Sequence, residues 1–209
     1  GVATSSRLFD RQARERVWLL YGWVRRSDEI IDDWQNGTPQ SRLDTVRRLT
    51  DEAINGTTTG EDAFDGFGVL ARECAIDRAL IDQAIAGFAL DAAEWSPRSE
   101  ADMLEYCYLV SGSVAVMPAE VLGVARGNGD LLDHACELGM AFELSQIARD
   151  LASDDADERC YLPMEWLAEA DIPPGEQMRP AYRERLLPLV TRLSDLAAQY
   201  EASARSGLS

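Results

Sequence analysis

The chain has 209 residues, a formal net charge of −17, 46% apolar residues and 27% charged residues. That length suffices for one domain with a buried core, and the apolar content is that of a folded protein, not a disordered one. The acidity argues against nucleic acid, since no basic stripe neutralises phosphates, and against electrostatic adhesion to anionic lipid. An acidic protein that handles an anionic substrate needs a metal or a local arginine cluster to reverse its field.

In chain order the pattern is helical almost throughout. From about Arg11 to Asp33, Val17, Leu20, Tyr21, Val24 and Ile31 recur at spacings of three and four, with Trp18 and Trp23 among them. Asn36-Gly37-Thr38-Pro39 breaks that helix. A second runs from Ser41 to Ile54 and a third from Glu61 to Cys74. Asp77 can cap a fourth that reaches Trp95. Ser99 and Asp102 form a capping box opening a helix from Glu100 to about Val124. This helix is apolar on all sides, which predicts a central position. It contains the small residues Ser111, Gly112, Ser113 and Ala115, and Pro118, which removes one helical hydrogen bond. Leu131 to Leu151 is the next helix, Asp155 to Arg159 a polar loop, and Pro180 to Ala204 the last helix. No strand-like alternation, internal repeat or low-complexity linker interrupts this. The expectation is one all-α domain over residues 1–209, a bundle of roughly eight helices.

No apolar run spans a bilayer, and no signal peptide is visible, so a cytoplasmic location is expected, with membrane association left open. The cysteines, Cys74, Cys107, Cys136 and Cys160, show no C-x-x-C spacing and read as reduced thiols. The single histidine, His134, leaves no multi-histidine metal site. Both ends read as cut, so terminal residues are expected to be missing.

Asp28 and Asp32, and again Asp150 and Asp154, stand four residues apart. On a helix each pair projects from one face, where two like charges repel. A divalent cation relieves that repulsion. Mg²⁺ takes oxygen ligands, with one or two carboxylates sharing the ion with substrate phosphates. Two facing helices with such pairs would hold a metal–diphosphate cluster. Leu19, Leu20, Tyr21, Trp23 and Val24 precede the first pair, and Phe142, Leu144 and Ile147 the second. A pocket with an acidic mouth and an apolar bore suits a charged head on a long hydrocarbon tail.

The segment Leu20-Tyr21-Gly22-Trp23-Val24-Arg25-Arg26-Ser27-Asp28-Glu29-Ile30-Ile31-Asp32-Asp33 resembles the first aspartate-rich motif of the squalene/phytoene synthase family. Ala148-Arg149-Asp150-Leu151-Ala152-Ser153-Asp154, with Arg159-Cys160-Tyr161-Leu162-Pro163, resembles the second. Tyr106-Cys107-Tyr108-Leu109-Val110-Ser111-Gly112 is similar to the central-helix signature. Arg7-Leu8-Phe9-Asp10 and the run from Ala202 to Leu208 read like the bacterial phytoene synthase branch. The resemblance implies an isoprenoid synthase helical bundle around a central cavity. It implies head-to-head joining of two prenyl diphosphates with Mg²⁺ (or Mn²⁺), in phytoene synthases two geranylgeranyl diphosphates. One ionises to an allylic cation, the other attacks, and a cyclopropylcarbinyl diphosphate forms and rearranges.

By the same resemblance, Asp28, Asp32, Gln146, Asp150 and Asp154 are the expected metal ligands. Tyr106 and Tyr161 are expected to join the aspartates in catalysis, facing the cation or bonding the diphosphate. Arg25, Arg149, Tyr21, Val110, Val114 and Gln146 are the expected substrate-binding residues. The family usually has Gln and Asn where this chain has Glu143 and Gln146, and a more glycine- and methionine-rich run around Ala115 and Pro118. Squalene or dehydrosqualene synthesis from farnesyl diphosphate, and a non-catalytic relative acting in binding or assembly, stay open as alternatives. Oligomeric state is not readable from the sequence.

Overall fold

The computed structural model describes residues 11–93 and 95–207; residues 7–10 and Leu208, which contribute to the resemblance, lie outside the described residues. Among the described residues the regular structure is helical, with no strand. The chain divides into two compact units, Gly1–Ala92 with Met117–Asn128, and Ala93–Val116 with Gly129–Ser209.

The first unit is built on α1 (Arg11–Asp32), α2 (Pro39–Ile54), α3 (Asp62–Glu73) and α4 (Arg78–Ala92). Leu20, Trp23, Ser27 and Ile31 recur every three or four residues and form the buried stripe of α1. Trp23 is the centre of this core. Its ring stacks on Phe67 at 4.2 Å and meets Phe88 edge-on at 6.0 Å. Its indole N–H donates to the Thr50 hydroxyl at 3.1 Å, so the one polar atom of a fully buried side chain is satisfied. The break before α2 follows capping chemistry: the Thr38 side chain accepts from the Ser41 amide and Pro39 occupies the first turn. α2 therefore starts two residues before the sequence expectation.

The second unit contains α5 (Glu100–Cys107), a π-helical turn (Tyr108–Gly112), α7 (Gly129–Ala156), α8 (Met164–Glu169), a 3₁₀ turn (Pro180–Tyr182) and α9 (Arg183–Ser206). α6 (Ser113–Val121) continues from the π turn and is divided between the two units. The Ser99–Asp102 capping box is present. The helix expected from Glu100 to about Val124 runs without a break to Val121, with a π turn inside it at Tyr108–Gly112. α7 approaches that turn so closely that a Cβ on Gly139 would run into the Ser111 carbonyl and come within 2.8 Å of the Ala115 Cβ. Gly139→Ala therefore forces backbone apart and is expected to cost about 1–3 kcal/mol. That would lower Tm by roughly 2–4 °C per kcal/mol, and an unchanged melting curve would contradict the packing. α8 has no counterpart in the sequence reading. α7 extends to Ala156, past the expected end, so both aspartates of the second pair are helical.

All four cysteines are free thiols. Burial pushes the Cys107 thiol far up and Cys136 up to about 11, so neither is a nucleophile at neutral pH.

Candidate metal and diphosphate site

On α1, Tyr21, Arg25, Asp28 and Asp32 are spaced four, three and four apart, and all four are exposed. They form a stripe on a different face from the buried one. The helix thus uses one face to seat itself in the unit and another to present carboxylates. Arg25 donates to Glu29 at 3.1 Å. The guanidinium of Arg26 forks onto Glu61 of the α3 N-terminus at 3.0 and 3.2 Å, which ties the motif to α3. Neither Arg26 nor Glu61 is apparent as a pair from sequence, since 35 residues separate them.

On α7, Glu143, Gln146, Asp150 and Asp154 follow at spacings of three, four and four, all half-buried. Arg149 forms a bidentate pair with Asp150, at 2.7 and 2.6 Å. This holds the Asp150 carboxyl below its ordinary range. Asp154 shifts the other way: burial raises it first and the Asp150 charge second, while Arg159 opposes both. Folding therefore favours protonated Asp154, a contribution full below its unfolded pKa and lost as pH rises through the folded one. For Asp150 the contribution is present above the unfolded pKa and lost as pH falls through the folded one. In metal-free protein Asp154 is expected to lose its proton at higher pH than Asp150, and Arg159→Ala to widen the gap. Carboxyl NMR titration reads the order directly, and a reversed order would contradict it.

Glu143 accepts from the Ser111 hydroxyl of the π turn at 2.5 Å. The acid that replaces the expected amide is thus bound to the segment carrying Val110. Val110 is half-buried and Val114 is 8% exposed. The rings of Tyr106 and Tyr161 stack at 5.0 Å. Trp95, not singled out by sequence, stacks on Tyr106 at 5.4 Å. The apolar residues expected along a bore divide. Leu20, Trp23, Leu144 and Ile147 belong to the cores of their own units, while Leu19, Tyr21 and Phe142 remain exposed.

The donors available to a cation are carboxylate oxygens and one amide oxygen, the hard set Mg²⁺ prefers. Among the described residues no three Asp, Glu, His or Cys side chains form a ready-made cage. Two carboxylates per helix fit an ion that completes its shell with substrate phosphates and water. Asp150 retains lone pairs beyond the two engaged by Arg149.

Comparison with known proteins defines the class. A crystal structure of a dehydrosqualene synthase superposes with a TM-score of 0.81 over 94% of this chain and 68% of that one, at 23% identity. The squalene synthase of Alicyclobacillus acidocaldarius gives 0.71 over 94% and 83%, at 16% identity. The fold is that of the all-α isoprenoid synthases. The squalene/phytoene synthase family model matches residues 2–209. The phytoene synthase of Pseudescherichia vulneris is 38% identical over all of this chain and 70% of its own length. The 15-cis-phytoene synthase of Enterobacter agglomerans is 39% identical over all of this chain and 72% of its own. The chain belongs to the squalene/phytoene synthase family.

Proposed function

We propose that this protein joins two geranylgeranyl diphosphates head to head to give phytoene, the committed carbon skeleton of carotenoid biosynthesis. The reading is supported by relatives at 38–39% identity over the whole chain that carry the names phytoene synthase and 15-cis-phytoene synthase. The observation that carries the mechanism is the pair of aspartate stripes, exposed on α1 and half-buried on α7, each on a different face from the buried stripe of its own helix.

In this reading Asp28, Asp32, Gln146, Asp150 and Asp154 would hold Mg²⁺ (or Mn²⁺). When bound, the metal supplies positive charge that stabilises the departing diphosphate. Arg149 orients Asp150, and Arg25 and Arg149 offer guanidinium donors to phosphate oxygens. Tyr21, Val110 and Val114 line the path of the prenyl chain and keep water from the reacting carbons. Tyr106, stacked on Trp95 and Tyr161, has limited ring freedom, so its phenol is held in one direction. Glu143 sits one turn before Gln146 and adds a carboxylate near the metal face. The product is a hydrocarbon, so its release calls for peripheral contact with a lipid surface. No helix among the described residues is long and apolar enough to cross a membrane.

The test is product analysis after incubation with Mg²⁺ and either geranylgeranyl or farnesyl diphosphate. Phytoene from the first substrate is the expected result. Squalene or dehydrosqualene as the main product would overturn the chain-length assignment. No product from folded protein with either substrate would overturn the catalytic reading.

A further inference from the structure

The last turns of α7 are built against helix stability. Asp150, Asp154 and Asp155 crowd the C-terminal end, and the last turn carries no basic residue. Like charges four apart repel, and the negative end of the helix dipole disfavours carboxylates. Such an end should fray, yet it carries both aspartates of the second pair.

Two devices hold it. The first is backbone. Glu158 takes φ +58°, its amide bonds to the Asp155 carbonyl at 3.1 Å, and the Arg159 amide bonds to the Asp154 carbonyl at 2.8 Å. This is the Schellman closure, with a glutamate in the left-handed position that normally favours glycine. The second is a side chain. Gln177, 3% exposed, donates its amide N–H to the Asp155 carboxylate at 2.6 Å. Its carbonyl oxygen is buried with no hydrogen-bond partner among the described residues. Burying an amide half-satisfied costs about 1–3 kcal/mol, so the interaction with Asp155 is retained against a penalty. Turning the amide over would set its carbonyl against a carboxylate, which fixes the direction of the bond.

We propose that Gln177 is a positioning residue for the second aspartate pair. By fixing Asp155 it sets the rotation of the last turn of α7, and with it the direction in which the adjacent Asp154 and the preceding Asp150 present their oxygens. This rests on the reading that the pair binds metal. Partners that orient metal ligands are typically worth 10–100-fold in affinity.

The test uses the full chain with Mn²⁺ and inorganic diphosphate as probes, free Mn²⁺ being read by electron paramagnetic resonance. Gln177→Met keeps the volume and removes the donor. Its Mn²⁺ affinity is expected to fall at least about 10-fold. The Mg²⁺ concentration for half-maximal turnover should rise in parallel while the rate at saturating Mg²⁺ stays near wild type. Amide hydrogen exchange should quicken at residues 150–157. Should Gln177→Met fail to fold, Asp155 tests the same bond from the other side. Asp155→Asn keeps an acceptor and should retain affinity, whereas Asp155→Ala should lose it. Wild-type Mn²⁺ affinity in Gln177→Met, or equal affinity in the two Asp155 variants, would overturn the inference alone. No Mn²⁺ binding by the wild-type chain would overturn the metal reading and this inference with it.

Discussion

Asp28→Ala or Asp150→Ala is expected to reduce product formation by about 10³-fold or more while leaving far-ultraviolet circular dichroism unchanged. Loss of one group that stabilises developing charge typically costs 10²–10³-fold, and here the lost carboxylate would also release the cation that neutralises the leaving group. The helices should tolerate the change. Asp28 is exposed on α1, alanine is the better helix former, and the substitution removes a repulsion with Asp32. At position 150 the lost partner is Arg149, whose side chain is 63% exposed, so the ion pair contributes little to stability. Turnover at the wild-type rate in either variant would contradict the assigned role.

The largest stability effect is expected at Trp23. Trp23→Ala removes a fully buried ring stacked on Phe67, in edge contact with Phe88 and bonded to Thr50. Large-to-small changes of this kind cost about 3–5 kcal/mol, a large fraction of the roughly 5–15 kcal/mol that holds a typical domain together. Tm is expected to fall by roughly 10 °C. The effect reaches function through α1: Trp23, Ser27 and Ile31 seat one face of the helix and Asp28 and Asp32 stand on another, so a loosened core also loosens the first pair. A Tm within about 2 °C of wild type would contradict the central position of this ring.

The first motif was legible because local and global demands coincide in it. Leu20, Trp23 and Ile31 carry helical periodicity, and the same spacing that buries them sends Asp28 and Asp32 to another face. The Ser99–Asp102 box was legible for a similar reason, since both partners lie within one turn. The π turn at Tyr108–Gly112 had no local signal. It arises where Gly139 of α7 brings backbone against the Ser111 carbonyl, and residues 28 positions apart do not announce such contact. Residues from Asp155 onward read as a loop because acidic residues at a helix end are unfavourable. The helix continues to Ala156 because Gln177, 22 residues away, and the turn at Glu158 supply what the local sequence lacks. Arg25 read as a substrate-binding residue, and its hydrogen-bond partner Glu29, one helical turn on, was not read from the sequence. Glu143 was visible as a departure from the family pattern, and its partner Ser111 was not.

In a crystal of the protein grown with Mn²⁺ and a non-ionising thiolodiphosphate analogue of geranylgeranyl diphosphate, anomalous scattering locates the metal and shows whether the two aspartate pairs share it. Manganese peaks are expected in one cluster, touched by a carboxylate of Asp28 or Asp32, by one of Asp150 or Asp154, and by the diphosphate. Manganese bound to one pair alone, or to two sites that share no diphosphate, would contradict the shared site.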